Sequence, residues 1–256
     1  MNKKYTAPAL EKGLEIIELL SRFPNGLSLT EISTRLARTN AELFRMVSVL
    51  KEQGYIEYAQ EGKIYRLSLK LFRLSQTISP MNRLLDIALP QMTLLSNQCK
   101  HPCYLVCYSE GYGIVTAYRA SEKNGHQLTY SVGSKLPLIN SCGGHVLLSF
   151  ASYNKRQSML ESFKANSKAD INFQKLRKHI EKIKSQGYEA MESPVFLSGF
   201  DIGFPIFSSD EEVIAVLVTS TLTYKDPEMN ANLDELKRKI EIAAEIITKN
   251  YTEAYN

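Results

Sequence analysis

The sequence predicts an α+β protein: a winged helix-turn-helix at the N-terminus, a helical linker, and a C-terminal sheet domain with flanking helices. Three observations lead there. Apolar residues recur at helical spacing between Leu10 and Gln53 and are followed by a hairpin pattern. The remainder runs strands, then helices, then strands, the order of an antiparallel sheet carrying helices on its faces. The whole formal charge excess of +4 lies in residues 1–77, which hold 12 of the 31 Lys and Arg and 8 of the 27 Asp and Glu.

The first helix sets Leu10, Leu14, Ile17 and Leu20 on one face and Glu11, Glu15, Glu18 and Arg22 on the other; Pro24-Asn25-Gly26 stops it. Ser28 to Leu36 reads as a second helix with Leu29, Ile32 and Leu36 inward. After a break at Ala37-Arg38-Thr39, a third helix runs from Asn40 to Gln53, with Leu43, Val47 and Leu50 aligned and Gly54 as its C-terminal cap. Tyr55–Tyr58 and Ile64–Leu67 flank a polar turn at Gly62 and form a hairpin. Three short helices and a hairpin suit a reader of the DNA major groove: a scaffold presenting one helix, with a wing beside the backbone.

From Leu69 the chain turns helical, with Leu71, Leu74 and Ile78 on one face and Pro80 breaking the run. A second linker helix spans Met81 to Asn97. Strands are expected at Cys103–Tyr108, Gly113–Arg119 and Gln127–Val132, then helices at Ser141–Ser152, Asn154–Lys164 and Phe173–Gln186. Tyr188–Met191, Asp201–Phe207 and Val213–Thr221 return to strand, and a last helix runs from about Met229 to Tyr251. The expected domains are therefore 1–68, a linker 69–97, and 98–256.

The opening residues MNKKYTAPAL lack the apolar core of a signal peptide, and no run approaches the ~20 apolar residues of a membrane span. The four cysteines then read as free thiols in a cytoplasmic protein.

Ala9-Leu10-Glu11-Lys12-Gly13-Leu14, Leu27-Ser28-Leu29-Thr30-Glu31-Ile32, Arg45 and Leu50-Lys51-Glu52-Gln53-Gly54-Tyr55-Ile56 resemble, in order and spacing, the DNA-binding domain of IclR-type transcriptional regulators. The resemblance continues through the C-terminal half. It implies a GAF-like effector-binding and oligomerisation domain, duplex DNA and a small-molecule effector as partners, and a homodimer or homotetramer. The sequence shows no nucleophile elbow, phosphate loop or carboxylate pair, so no enzyme activity, cofactor, metal or membrane partner is expected.

The residues expected at DNA are Ser28, Thr39, Asn40, Ala41, Glu42, Arg45, Lys63 and Arg66. Members of the family commonly open the recognition helix with Lys-Ser-Thr, where this chain has Asn40-Ala41-Glu42. Asn40 can cap the helix or reach an adenine edge. Glu42 can accept a hydrogen bond from cytosine, or serve only the helix dipole of the first turn. Lys63 and Arg66 suit phosphate contacts in the wing.

For the effector, the resemblance points to Ser141, Cys142, Gly143 and Gly144, a helix start whose N–H groups favour a carboxylate. Opposite it the family often supplies an acid after a Gly-Tyr pair, a cysteine four before a proline, and a Ser-x-Ser strand end. Those places hold Met191, Asp201, and Val218 with Ser220. Asp201 can pair with a ligand hydroxyl or amine, or the chain's own side chains can fill the pocket.

Other chemistry is poorly supported. Cys99, His101, Cys103 and Cys107 lack a paired Cys-x-x-Cys spacing, and Cys103 and Cys107 share a strand parity with Leu105, as small buried residues would. His145 reads as a structural or rim residue, and His126 and His179 have no carboxylate partner at readable spacing. The expected function is a sequence-specific DNA-binding regulator controlled by a small organic-acid or aromatic effector. Two alternatives remain: a regulator with a degenerate pocket acting without ligand, and an enzyme or thiol redox sensor on the C-terminal domain.

Overall fold

The computed structural model describes residues 5–77, 79–122, 128–167, 172–225 and 230–254. The chain divides into two compact units, Met1–Asn82 and Arg83–Asn256. Ile78, His126, Gln127 and Met229, named above, lie outside the described residues.

The first unit contains α1 (Pro8–Leu20), β1 (Leu27–Ser28), α2 (Leu29–Arg35), α3 (Asn40–Glu52), β2 (Ile56–Ala59), β3 (Ile64–Leu67) and α4 (Lys70–Ser75). Its strands pair antiparallel in the order β1-β3-β2, so β1 ties the wing to the start of α2. Ile16, Leu20, Leu27, Ile32, Leu43, Val47 and Ile56 make the core. The inward face of α1 is Gly13–Ile16–Leu20, whereas Leu10 and Leu14 are half or more exposed. The expected Leu10–Leu14–Ile17 stripe is thus displaced by one row. The apolar arc of this helix is wider than one core face, and periodicity does not say which edge turns inward.

The second unit begins within α5 (Ser79–Cys99) and continues through β4 (Cys103–Ser109), β5 (Tyr112–Arg119), β6 (Lys135–Pro137), α6 (Cys142–Phe150), α7 (Tyr153–Asn166), α8 (Phe173–Gln186), β7 (Glu189–Glu192), β8 (Gly199–Phe207), β9 (Val213–Leu222) and α9 (Leu233–Glu253). Pro80 does not end a helix. It sits in the first turn of α5, where its missing N–H has no acceptor to lose. No strand forms at 128–132; a short strand comes later, at Lys135–Pro137, and pairs with β5. Residues 131–134 instead turn against β5, with Gly133 N–H donating to Val115 O, and Tyr118 Oη holds the chain through Leu128 O.

The six strands lie antiparallel in the order β6-β5-β4-β9-β8-β7. Strand alternation divides the sheet's faces. Tyr104, Val106, Val216, Val218, Ser220, Asp201, Gly203, Glu189 and Met191 share the face on which α6 packs. Cys103 turns to the other face, where its thiol donates to Met92 O of α5. Gly144 lets α6 seat: a Cβ there would stand 2.3 Å from Leu138 O, and one on Gly143 3.0 Å from Val106. The room those glycines leave is therefore taken by the chain itself.

Candidate nucleic-acid interface and effector site

Two helices of the head, α2 and α3, are started by a side chain. Ser28 caps α2 and Thr39 caps α3, each in a reciprocal box with the acid three residues on, Glu31 and Glu42. Asn40 is therefore not the cap but the first helical residue. Its carboxamide oxygen accepts from Ser33 Oγ at 2.5 Å, tying α3 to α2. Glu42 accepts from Thr39 N–H and Thr39 Oγ1, both at 3.1 Å, and pairs with Lys12 Nζ at 3.0 Å. The Thr39 N–H first, then Lys12 and the Thr39 hydroxyl, pull its carboxyl down to about 2. The outward face of α3 leaves Ala41, Arg45, Ser48 and Glu52 exposed. In the wing, Lys63 sits at a positive φ of 51° beside Gly62, and Arg66 pairs with Glu57 at 3.2 Å, both exposed.

In the second unit, sheet register brings the effector candidates together. Met191 lies opposite Asp201, Asp201 opposite Ser220, and Gly203 opposite Val218. Ser141 caps α6 by accepting from Gly144 N–H at 3.2 Å. A Cβ on Gly203 would come within 2.8 Å of Cys142 Sγ and 3.4 Å of Val218, which places the start of α6 over these strands. Asp201 is 2 % exposed and accepts from Ser220 Oγ at 2.5 Å. Burial pushes its carboxyl up to about 6, against the pull of that one hydroxyl. Burial, with Asp201 adding to it, also holds the Cys142 thiol well above its usual range, so Cys142 is a poor thiolate.

Sequence reasoning missed two tyrosines here. Tyr104 and Tyr130 meet tilted by 34° at 4.5 Å between centroids, and Phe196 meets Tyr130 edge-on at 6.3 Å. Burial and then Asp201 raise both phenols, against the opposing pull of the Ser220 hydroxyl on both and of Ser193 and Tyr104 on Tyr130. The parity that turns Cys103 and Leu105 away also turns Tyr104 toward Asp201, and that signal was readable. Tyr130, in a segment without regular structure, gave none.

The histidine reading is also corrected. His145 Nδ1 stands 3.0 Å from Glu189 Oε2, His179 Nε2 makes a short contact with the same oxygen, and the two ring nitrogens are 3.2 Å apart. Glu189 lies 44 residues from His145 along the chain, so no sequence spacing could signal the pair. Burial raises the Glu189 carboxyl, but the His145 hydrogen bond and the two imidazoles outweigh it and hold it below the ordinary range.

Among the described residues, no helix is long and apolar enough to cross a membrane. Residues 9–60 match the model of the IclR helix-turn-helix domain, and residues 76–249 that of the bacterial transcriptional regulator IclR C-terminal domain. The chain is 26% identical over 206 residues to the HTH-type transcriptional regulator KdgR of Escherichia coli, covering 73% of this chain and 78% of that one. Its fold resembles an IclR homologue of Microbacterium hydrocarbonoxydans complexed with 4-hydroxybenzoate, with a TM-score of 0.77, 20% identity, and 95% and 98% of the two chains covered. The Thermotoga maritima IclR structure matches with a TM-score of 0.71 at 20% identity over 95% and 98%.

Proposed function

The chain belongs to the IclR family of bacterial DNA-binding transcriptional regulators, and from that premise we propose that a small organic acid with an apolar or aromatic body controls its grip on a specific duplex. The observation that carries the effector half is the cluster of buried Asp201, Ser220 and Tyr104 on the sheet face beside the start of α6, with half-buried Tyr130 against it. A buried carboxyl with one hydroxyl partner is costly unless a ligand supplies more. In the proposed pose the effector's carboxylate meets the Ser141–Cys142 end of α6 and its far end turns to Asp201, since two ionised carboxylates side by side repel. A hydroxyl at its far end donates to Asp201. The complex of the Microbacterium homologue with 4-hydroxybenzoate is consistent with such a molecule. Calorimetry with paired aromatic acids, hydroxylated and not, tests this. Asp201→Cys should weaken the hydroxylated ligand by about 1–3 kcal/mol and leave the other unchanged. Tight binding of a compact dicarboxylate, insensitive to Asp201→Cys, refutes the pose, and no binding at all favours a regulator that works without ligand.

At DNA, α3 enters the major groove with Ala41 and Arg45 toward base edges, while Lys63 and Arg66 hold the backbone from the wing, and Ser28, Thr39 and Asn40 fix the approach. Leu10 and Leu14 on α1, and Leu69, Phe72 and Leu74 at α4, are exposed apolar side chains. They suit burial between copies of the chain, so the working form is a cytoplasmic homodimer or homotetramer on a two-fold site. Effector binding changes operator affinity by favouring one of two placements of the heads. Selection from random duplexes tests the DNA half. Arg45→Ala should cost about 1–3 kcal/mol and flatten one position per half-site, whereas Lys63→Ala should weaken all duplexes alike. Enrichment of no motif would sink the base-reading role of α3.

A further inference from the structure

We propose that His145, His179 and Glu189 form a site for one divalent transition metal of the zinc class, with an open coordination position facing the cleft beside α8. The three donor atoms, His145 Nδ1, His179 Nε2 and a Glu189 oxygen, lie within 4.8 Å of one another. They come from α6, α8 and β7, three elements packed around one point.

The hydrogen bonding around the cluster turns its donor atoms toward one centre. His145 Nε2 is 2.9 Å from Ile139 O, a carbonyl that can only accept, so Nε2 carries a proton and Nδ1 is the nitrogen turned to the cluster. That nitrogen stands 3.0 Å from Glu189 Oε2 and 3.2 Å from Nε2 of the other imidazole. Oε1 of Glu189 is already occupied by the N–H of Ala190 at 2.9 Å, which turns Oε2 inward. Two imidazole nitrogens and a carboxylate oxygen thus converge on one point, where a cation could replace the protons they share. A carbonyl on the far nitrogen of one histidine and an amide on the far oxygen of the carboxylate are the outer contacts that fix ligands in metal sites.

Donor chemistry sets the class. Two imidazoles and one carboxylate suit zinc, cobalt or nickel ions, not calcium or magnesium, which prefer oxygen alone. Tetrahedral zinc with bonds of about 2.0–2.1 Å holds its ligand atoms about 3.4 Å apart, so the cluster needs only a slight outward step. His179 can take that step, since its side chain is 32% exposed on the surface of α8, whereas His145 and Glu189 are nearly enclosed. The cluster opens on a cleft of about 500 Å³ lined by Asn140, Lys175, Lys178 and Lys182 along with the two histidines. Those lysines make an anion or hydroxide the favoured fourth ligand.

The test uses full-length protein stripped with a chelator, and its readout is metal uptake, independent of DNA or effector. Titration with Co²⁺ should give one equivalent per chain, with the visible bands of a four-coordinate nitrogen and oxygen site, displaced by Zn²⁺. His179→Ala should weaken Zn²⁺ by more than the ~10–100-fold that loss of an outer partner alone costs, and Zn²⁺ should raise the thermal midpoint of the wild type but not of this variant. Circular dichroism checks that the variant folds; if it does not, His179→Gln, which keeps the length and polarity, takes its place. Absence of saturable binding in the micromolar range overturns the proposal. So does binding that His179→Ala retains, or a thiolate-to-cobalt band that Cys99→Ser abolishes.

Discussion

The starts of α3 and α6 each lie beside an acidic residue, and the two acids behave in opposite ways. At the start of α3, Glu42 stands in solvent, accepts from the N–H and hydroxyl of Thr39 and pairs with Lys12, and its carboxyl is pulled down to about 2. Beside the start of α6, Asp201 is buried, has the Ser220 hydroxyl as its hydrogen-bond partner, and is pushed up to about 6. The chemical group is the same. Water and local donors stabilise charge at the first, while desolvation penalises it at the second. One helix start is thus furnished to keep a charge at the surface, and the other to hold a carboxyl whose ionisation depends on what comes to lie against it.

The largest expected effect tests how tightly the buried start is packed. Gly144→Ala would drive a methyl into the Leu138 backbone, so the C-terminal unit should lose about 3 kcal/mol or more in denaturant unfolding. An unchanged midpoint would mean that α6 can slide, and that the contrast in packing is not real.

Asp201→Asn comes next. The folded carboxyl lies near 6 and the ordinary one near 3.8, so the native state holds a proton that the unfolded chain releases. This contribution is fully present below about pH 4, is lost as pH rises through about 6, and is level above that. The carboxamide would mimic the protonated acid, so the variant should be more stable than wild type by about 3 kcal/mol at pH 7.5 and nearly equal to it at pH 4. Parallel pH profiles for the two proteins would remove the buried side of the comparison.

The exposed start should respond least. Thr39→Ala removes one cap and should cost the head about 1 kcal/mol. Glu42→Thr should raise affinity for every duplex through lost phosphate repulsion, with the same preferred sequence. If motif selection instead finds a changed base, Glu42 reads cytosine and the exposed start is more than a cap.

The sequence by itself determined the elements whose cause is local. The Gly54 turn, the spacing of Leu43 and Val47 and the hairpin around Gly62 all act within a few residues, so the elements of the head were legible, although the cap of α3 is Thr39 and not Asn40. Helix α8 was bounded correctly, Phe173 to Gln186, by its periodicity and the glycine after it. Tertiary structure decided the rest. It chose the Gly13–Ile16–Leu20 row of α1 for the core, gave Gly144 to the backbone of Leu138, and placed Tyr104 and Tyr130 beside Asp201. It also joined His145 to Glu189, and it set the ionisation of Glu42 and Asp201 in opposite directions. Side-chain periodicity encodes which way a residue points along its own element, whereas burial and partnership depend on sheet register and on which faces meet across tens of residues.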